Sequence, residues 1–197
     1  MKQKLAIYLA GTIKKAHEKA DETYWGPIEI AQLQQSLHQY EITFLNPAFR
    51  ADSMSDQKSV FGRDMTQVYC SDVVIVDARD RRGLGVGAEM MWAKVNSLPV
   101  IIWAPRDTHY HHGATVVLDR EVNDWVHPFV ECLADQVVED LAQAASWIEA
   151  NLLPQRTSIK GIEFIKSAMQ HYRSTQLPHD TPMLELISAH PALLKDI

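Results

Sequence analysis

Short apolar runs and amphipathic helical patterns alternate along the first three-quarters of the chain. The apolar runs predict five β-strands, at residues 5–10, 42–45, 73–76, 99–103 and 136–138. Alternation of strand and helix is typical of βαβ units, which build a parallel sheet. The pattern therefore predicts an α/β fold: a flavodoxin-like (Rossmann-like) five-stranded parallel sheet of order 2-1-3-4-5 with flanking helices.

The helical patterns occupy the segments between these strands. Residues 27–40 carry apolar side chains on one helical face, and a second helix is predicted at about residues 59–69. A third helix opens with the glycine-rich residues 83–89, and a fourth surrounds residues 141–148. These helices supply the crossovers that a parallel sheet requires.

Two segments depart from this alternation. Residues 106–126 are polar and rich in histidine, and they predict a functional loop or an arm that contacts another subunit, with one short strand at residues 114–118. After a linker at residues 151–156, residues 159–172 predict a helix, and Thr181 and Pro182 predict the N-cap and first turn of another. We therefore expect an α/β domain over residues 1–153 and a C-terminal helical extension over residues 154–197.

The overall charge limits the classes of partner. The chain has 197 residues and a formal net charge of −6, which argues against a binder of nucleic acid polymers. No apolar stretch is long enough to span a bilayer, and the N-terminus leads directly into a strand, so we expect no membrane partner and a cytoplasmic location. Cys70 and Cys132 form no metal or redox spacing and are expected to be buried free thiols.

Glu89 is the first candidate for chemistry. In the predicted sheet order, the turn after the first strand and the loop after the third strand share one crevice, and Glu89 follows that loop. We expect it in the first helical turn, where the helix dipole favours an ionised carboxylate and a nucleophilic role. The alternative is an ordinary glycine-rich turn whose glutamate stabilises the helix that it opens.

The turn after the first strand offers a possible phosphate site. Gly11, Thr12 and Lys14 bring backbone amides, a hydroxyl and a cation together, although a plain turn with solvated lysines has the same composition. The spacing is neither a Walker A loop nor G-x-G-x-x-G, so we expect no nucleoside triphosphate or dinucleotide site and no cofactor.

Several other polar residues are candidates of lower rank. Asp64 would contact a ligand if its side chain faces the crevice, and Asp77 lies at the ligand end of the third strand. Asp72 begins that strand and is expected to have a structural role. The histidines of the polar segment match no zinc signature, and no metal is expected there.

Four motifs in this order resemble the nucleoside 2-deoxyribosyltransferase family and the related 2′-deoxynucleoside 5′-phosphate N-hydrolases. They are YLAGT at residues 8–12, RDM at residues 63–65, SDVV at residues 71–74 and GLGVGAE at residues 83–89. The glycine-rich motif with its glutamate is the most specific of the four. The resemblance covers residues 4–105 and extends more loosely to about residue 150.

The resemblance implies cleavage of the N-glycosidic bond of a nucleoside or its 5′-monophosphate. Glu89 would attack the anomeric carbon to form a covalent glycosyl intermediate, Tyr8 would orient Glu89 or the sugar, and Asp64 would contact the base or assist its departure. The implied substrate-binding residues are Gly11, Thr12, Ile13, Lys14, Asp77, Gly83, Gly85 and Gly87. The turn formed by Gly11, Thr12, Ile13 and Lys14 resembles the phosphate-side turn of the hydrolase branch.

The chain also departs from the family pattern. Gly83 stands where the hydrolase branch has a serine, which removes one possible phosphate contact. Family members complete the site from a neighbouring subunit, so the resemblance implies a homodimer or larger homo-oligomer with shared sites. Residues 106–118 are the matching segment, with His112 and Thr115 as candidates. The alternative function is a nucleotide-binding sensor or regulatory module without turnover. A flavin-binding protein is disfavoured, because the first turn lacks the run of hydroxyl residues that would bind a flavin phosphate.

Overall fold

The computed structural model describes residues 2–13, 23–117, 119–152 and 159–195. The chain divides into two compact units, Met1–Lys160 and Gly161–Ile197. The boundary expected from the sequence, after residue 153, falls among residues outside the described ranges. The proposed assignment of two domains therefore stays a prediction.

A five-stranded parallel sheet forms the centre of the first unit. Its strands are β1 (Gln3–Ala10), β2 (Tyr40–Leu45), β3 (Val73–Asp77), β4 (Val100–Trp103) and β7 (Gln136–Val138). They lie in the order β2-β1-β3-β4-β7, and every neighbouring pair is parallel. This confirms the fold class and the strand order predicted from the sequence. All five residues of β3 are buried, as expected for a strand covered on both faces.

Helices cover this sheet in two layers. They are α1 (Pro27–Ser36), α2 (Gln57–Tyr69), α3 (Leu84–Val95), α4 (Pro128–Leu133) and α5 (Leu141–Asn151). Helix α1 packs beside α5, and α2 packs beside α3. Helix α1 is shorter than expected because Tyr40 already pairs with Gln3 at the start of β2.

Alternation along β1 determines which layer each side chain meets. Leu5, Ile7 and Leu9 join the core that includes Leu33 of α1 and Ile148 of α5. Since successive strand residues point to opposite faces, Tyr8 points toward the layer of α2 and α3. This face of the sheet carries the candidate site.

The polar segment folds as a β-hairpin, separate from the main sheet. Strands β5 (His111–Val117) and β6 (Arg120–Val126) pair antiparallel, and residue 118 between them is outside the described residues. The sequence predicted one short strand here and missed β6, because a polar strand has no clear alternation. Asp119 and Asp124 have positive φ angles of 61° and 53°, a left-handed conformation that aspartate tolerates better than most residues.

The second unit contains α6 (Ile162–Thr175) and α7 (Thr181–Ala189), joined through a short 3-10 turn at Leu177–His179. The predicted N-cap was wrong by one residue. Asp180 caps α7, since its carboxylate accepts a hydrogen bond from the Met183 amide, and it also accepts one from the Tyr172 hydroxyl at 2.6 Å. Aspartate is among the strongest N-cap residues.

The helices and the two cysteines bear on two further expectations from the sequence. Within the described ranges, none of the helices combines the length and apolar composition that a membrane crossing requires. Cys70 and Cys132 are free thiols, but both are exposed, so the expected burial was wrong. Cys70 is the C-cap of α2 and Cys132 lies on the solvent side of the short α4, where neither needs core packing.

Candidate active site

Tyr8 and Glu89 form the centre of the candidate active site. The Tyr8 side chain is fully buried on β1, and its hydroxyl donates a hydrogen bond of 2.8 Å to Glu89 Oε1. The pairing joins the first strand to the helix that follows the third strand. Two residues that the sequence analysis selected separately are therefore in direct contact.

Glu89 lies further along its helix than the sequence predicted. Helix α3 begins at Leu84, so Glu89 is in the second turn, beyond the strongest field of the helix dipole. Burial raises the pKa of Glu89 from 4.5 to about 7, the Tyr8 hydrogen bond opposes that rise, and the charge of Asp64 adds to it. The expectation of a dipole-stabilised carboxylate in the first turn was wrong, because loss of solvation dominates here.

The second carboxylate oxygen of Glu89 has an unusual position. The residue is only 8% exposed, and Oε2 is buried without a hydrogen-bond partner among the described residues. An unpaired buried polar atom is costly, so native proteins rarely retain one without a use. Glu89 therefore keeps one carboxylate oxygen that no described residue hydrogen-bonds.

Asp64 lies on α2 beside this pair. Its carboxylate contacts Arg50 and Arg63, each at 3.4 Å, and its side chain is 16% exposed. Burial and then the Glu89 charge raise the pKa of Tyr8 well above its usual range, and the charge of Asp64 acts in the same direction. Thus Tyr8, Asp64 and Glu89 lie close enough to influence one another electrostatically. Their roles in chemistry remain predictions.

The turn after β1 and the loop after β3 meet, as the sheet order predicted. The Arg82 Nη1 group donates to Thr12 Oγ1 at 2.7 Å, and the Thr23 amide donates to Asp80 at 2.9 Å. Ile13 is partly exposed beside this junction, and Lys14 lies outside the described residues. The junction forms one wall of the crevice expected to hold the ligand.

Gly11 has a packing reason to be glycine. A Cβ at Gly11 would lie 3.1 Å from Trp25 Nε1, whose hydrogen bond to the Ala10 carbonyl places that ring across the turn. Such a distance is tighter than ordinary van der Waals contact, so a larger residue would push the ring away. The Trp25 ring thus fills the space beside Gly11. The assignment of Gly11 as a substrate contact stays a prediction.

Asp77 is a buried acid of a different kind. It is fully buried at the end of β3, and its carboxylate contacts Arg79 at 2.9 Å and Arg82 at 3.0 Å. Arg79 also contacts Glu29 and stacks over the Trp103 ring at 3.8 Å. These contacts give Asp77 a structural role in tying the loop to the sheet. A direct contact between Asp77 and substrate stays a prediction.

The glycines at the start of α3 are not required by the fold. No described glycine has a positive φ, and a Cβ at Gly83, Gly85 or Gly87 would meet nothing within 4 Å. Gly85 lies one turn before Glu89 on the same helical face. The missing side chains therefore leave open space beside the candidate nucleophile.

Two cavities adjoin these elements. A cavity of about 520 Å³ is lined mainly by apolar side chains of α3 and α4, and Gly83 and Gly87 border it. This cavity is not lined by Tyr8, Asp64 or Glu89. The larger of the two cavities therefore does not hold the candidate catalytic residues. A second cavity, of about 260 Å³, borders Thr12, beside the first turn.

Asn46 is a buried polar residue beside the smaller cavity that the sequence did not single out as a candidate. It lies directly after β2, lines the smaller cavity and is 4% exposed, and its Nδ2 atom has no hydrogen-bond partner among the described residues. From the sequence, Asn46 was interpreted only as the residue that ends the second strand. Its position at the carboxyl end of a parallel strand was the available signal.

Asp72 and the histidines have structural contacts. Asp72 accepts a hydrogen bond from the Ala6 amide at 2.8 Å, as expected for a residue that begins its strand. His111 Nδ1 lies 2.9 Å from the Ala104 carbonyl oxygen, and His112 stacks on Trp125 in the hairpin. His112 and Thr115, the candidates for a contribution to a neighbouring subunit, both lie on β5.

Comparisons with known proteins give a limited result. No family model and no curated protein matches the sequence. A solved 2-deoxyribosyltransferase from the psychrotolerant bacterium Bacillus psychrosaccharolyticus is similar in structure, with 16% sequence identity and a TM-score of 0.48. The similarity covers 78% of this chain and 99% of that one. The fold itself is defined by the strand order and parallel pairing described above.

Proposed function

We propose that this protein cleaves the N-glycosidic bond of a nucleoside or nucleoside 5′-monophosphate through a covalent intermediate on Glu89. The observation that carries this proposal is the buried Glu89 carboxylate, whose Oε1 is held by Tyr8 and whose Oε2 has no hydrogen-bond partner in the described part of the chain. A carboxylate nucleophile needs an ionised, oriented oxygen with no competing hydrogen bond. The motif resemblance of residues 83–89 supports the same assignment.

The reaction has two displacements. In the first, the ionised Glu89 Oε2 attacks C1′, the bond between C1′ and the base nitrogen breaks, and the base leaves with the bonding electrons and takes up a proton. In the second, water or another base attacks C1′ and gives up a proton to solvent, which balances the proton taken up by the departed base. The bond between C1′ and Glu89 Oε2 breaks with its electrons returning to the carboxylate, and the product is a free sugar or a new nucleoside, with its 5′-phosphate where the substrate carries one. With a pKa of about 7, Glu89 is about half ionised at neutral pH and regains its nucleophilic form after each turnover.

Tyr8 and Asp64 act on either side of this carboxylate. The Tyr8 hydroxyl fixes Oε1, which directs Oε2 away from the strand and stabilises the ionised form. The contacts with Arg50 and Arg63 stabilise negative charge on Asp64, so this carboxylate is best suited to accept hydrogen bonds from N–H groups of the base. That contact would orient the base for departure.

The hairpin of β5 and β6 is the proposed contact with another copy of the chain. It forms a two-stranded sheet of its own, and Val116 on β5 is 64% exposed. An apolar side chain at such a position gains from burial against a partner. Sedimentation of the intact chain should therefore show a dimer or larger assembly. A monomer at micromolar concentration would contradict this part of the proposal.

A panel of deoxyribonucleosides, ribonucleosides and their 5′-monophosphates tests the activity. Chromatography should detect free base from at least one substrate, with and without a second base as acceptor. Release without an acceptor indicates hydrolysis, and formation of a new nucleoside indicates transfer. A folded protein that releases no base from any member of the panel would overturn the proposal.

Glu89→Gln separates an enzyme from a binding module. The amide keeps the shape but cannot act as the nucleophile, so base release should fall by at least about 1000-fold while substrate binding persists. Glu41→Gln, which changes an exposed acid on β2, is the matched control and should retain base release. Equal release from Glu89→Gln and the wild type would exclude Glu89 as the nucleophile.

A further inference from the structure

Arg50 lies at the centre of a charged cluster between the loop after β2 and helix α2. Its side chain is only 9% exposed, and its guanidinium holds the Asp52 carboxylate through two hydrogen bonds, of 2.8 Å and 2.6 Å. The remaining nitrogen, Nη1, lies 3.4 Å and 3.5 Å from the two Asp64 oxygens. A planar guanidinium can make both contacts at once, because its donors form a rigid fork.

Arg63 completes the cluster from the helix side. It contacts Asp64 at 3.4 Å and Asp52 at 3.8 Å, and it donates to the Phe49 carbonyl at 2.6 Å. The cluster thus contains two arginines and two aspartates, and its formal charges cancel. Loss of either arginine would leave a net negative charge next to Glu89.

We propose that Arg50 is a positioning residue, which holds the Asp64 carboxylate beside the Tyr8–Glu89 pair and links the loop after β2 to that pair. This inference rests on the proposed function for its catalytic meaning. Arg50 has no contact with Glu89 itself, so it acts through Asp64. The same loop carries Asn46 and Phe49, which line the smaller cavity, so one arginine connects that cavity wall to the candidate nucleophile.

The direction of the effect follows from the groups that face Glu89. Tyr8 faces it from β1, and Asp64 faces it from α2 with Arg63, Arg50 and Asp52 behind. The charge of Asp64 raises the pKa of Glu89. Arg50 and Arg63 both pair with the Asp64 carboxylate, and opposite charges so close together offset part of each other's effect on a third group. Removal of the Arg50 charge should therefore raise the Glu89 pKa further, and fewer molecules would carry the ionised nucleophile at pH 7.

Carbon-13 NMR of the side-chain carboxyl groups measures this directly, without substrate. The Glu89 signal is assigned by its loss in Glu89→Gln. In the wild type its midpoint should lie at about pH 7. In Arg50→Met the midpoint should rise by roughly half a pH unit, and in Asp64→Asn it should fall below the wild-type value.

Two further variants separate charge and geometry from a general loss of structure. Arg50→Lys keeps the charge and should return the midpoint close to that of the wild type. Arg106→Met removes an arginine that pairs with Asp124 and Glu139 instead, and it should leave the Glu89 midpoint unchanged. If Arg50→Met does not fold, Asp52→Asn alters the same cluster with the opposite sign and should lower the midpoint.

The result can fail independently of the proposed function. If the wild type releases no base from any nucleoside, the proposed function is wrong, but the titration of Glu89 still reports on Arg50. If the wild type releases base and the Glu89 midpoint is unchanged in Arg50→Met, the positioning role is wrong. A lower midpoint would instead show that the Asp64 carboxylate moves away from Glu89 once Arg50 no longer holds it. With both correct, the acidic limb of kcat/KM moves upward with the midpoint, and the rate at pH 7 falls by roughly twofold.

Discussion

Asp77 and Glu89 are two buried acids on either side of the same glycine-rich loop, and their surroundings are opposite. Asp77 is fully buried and contacts two arginines, while Glu89 is 8% exposed and, within the described residues, accepts a hydrogen bond only from Tyr8. Two arginines pair with the Asp77 carboxylate, whereas burial raises the pKa of Glu89 to about 7. Burial alone therefore does not distinguish the two acids; the charged groups in contact with each carboxylate do.

The largest expected difference between these acids concerns stability. Asp77→Asn removes the charge that compensates Arg79 and Arg82, and it should lower the free energy of unfolding by about 3 kcal/mol. Glu89→Gln removes a carboxylate that burial disfavours, so its free energy of unfolding should equal or exceed that of the wild type. Urea denaturation at pH 7 measures both. A larger loss for Glu89→Gln than for Asp77→Asn would reverse the comparison.

The second difference concerns pH. Because the pKa of Glu89 rises from 4.5 in the unfolded chain to about 7 in the folded one, the folded state binds this proton more tightly. The resulting stabilisation is complete below pH 4.5 and is lost as the pH rises through 7, with a total of about 3 kcal/mol. The free energy of unfolding of the wild type, relative to Glu89→Gln, should decrease by that amount between pH 4.5 and 8. Parallel curves for the two proteins would contradict it.

The hydrogen bond from Tyr8 to Glu89 should have a smaller effect on stability. Tyr8→Phe removes the hydroxyl that stabilises the ionised carboxylate, so the Glu89 pKa should rise by about one unit and stability should fall by about 1 kcal/mol. Base release at pH 7 should drop several-fold and recover at higher pH. Tyr69→Phe, on the exposed side of α2, should leave the pH profile unchanged. An unaltered acidic limb in Tyr8→Phe would show that the hydrogen bond does not control Glu89.

The parts of this fold that depend on local pattern were predictable. β3 is a continuous run of Val and Ile because both of its faces are buried, and such a run identifies a strand without further information. The alternation of strands and helices then determined the sheet order, which brought Tyr8 and Glu89 together. Strand β6 was missed because a hairpin outside the core needs no apolar alternation.

The ionisation of the site was not predictable in the same way. The pKa of Glu89 depends on how completely β1, α2 and α3 exclude water, which is a property of packing between distant segments. The contact of Arg50 with Asp64 joins a loop to a helix across 14 residues, and no local pattern encodes such a pair. The sequence likewise does not show whether the Asp77 carboxylate binds a ligand or pairs with two arginines.

The open space at the start of α3 has a practical consequence. Alanine fits at Gly85 and Gly87 without collision, and it should raise helix stability by up to about 1 kcal/mol. Each added methyl group would hinder a ligand bound next to it. Gly85 shares the helical face of Glu89, and Gly87 borders the 520 Å³ cavity. Weaker substrate binding by Gly85→Ala alone would place the bound sugar over the carboxylate, and weaker binding by Gly87→Ala alone would place it in the apolar cavity.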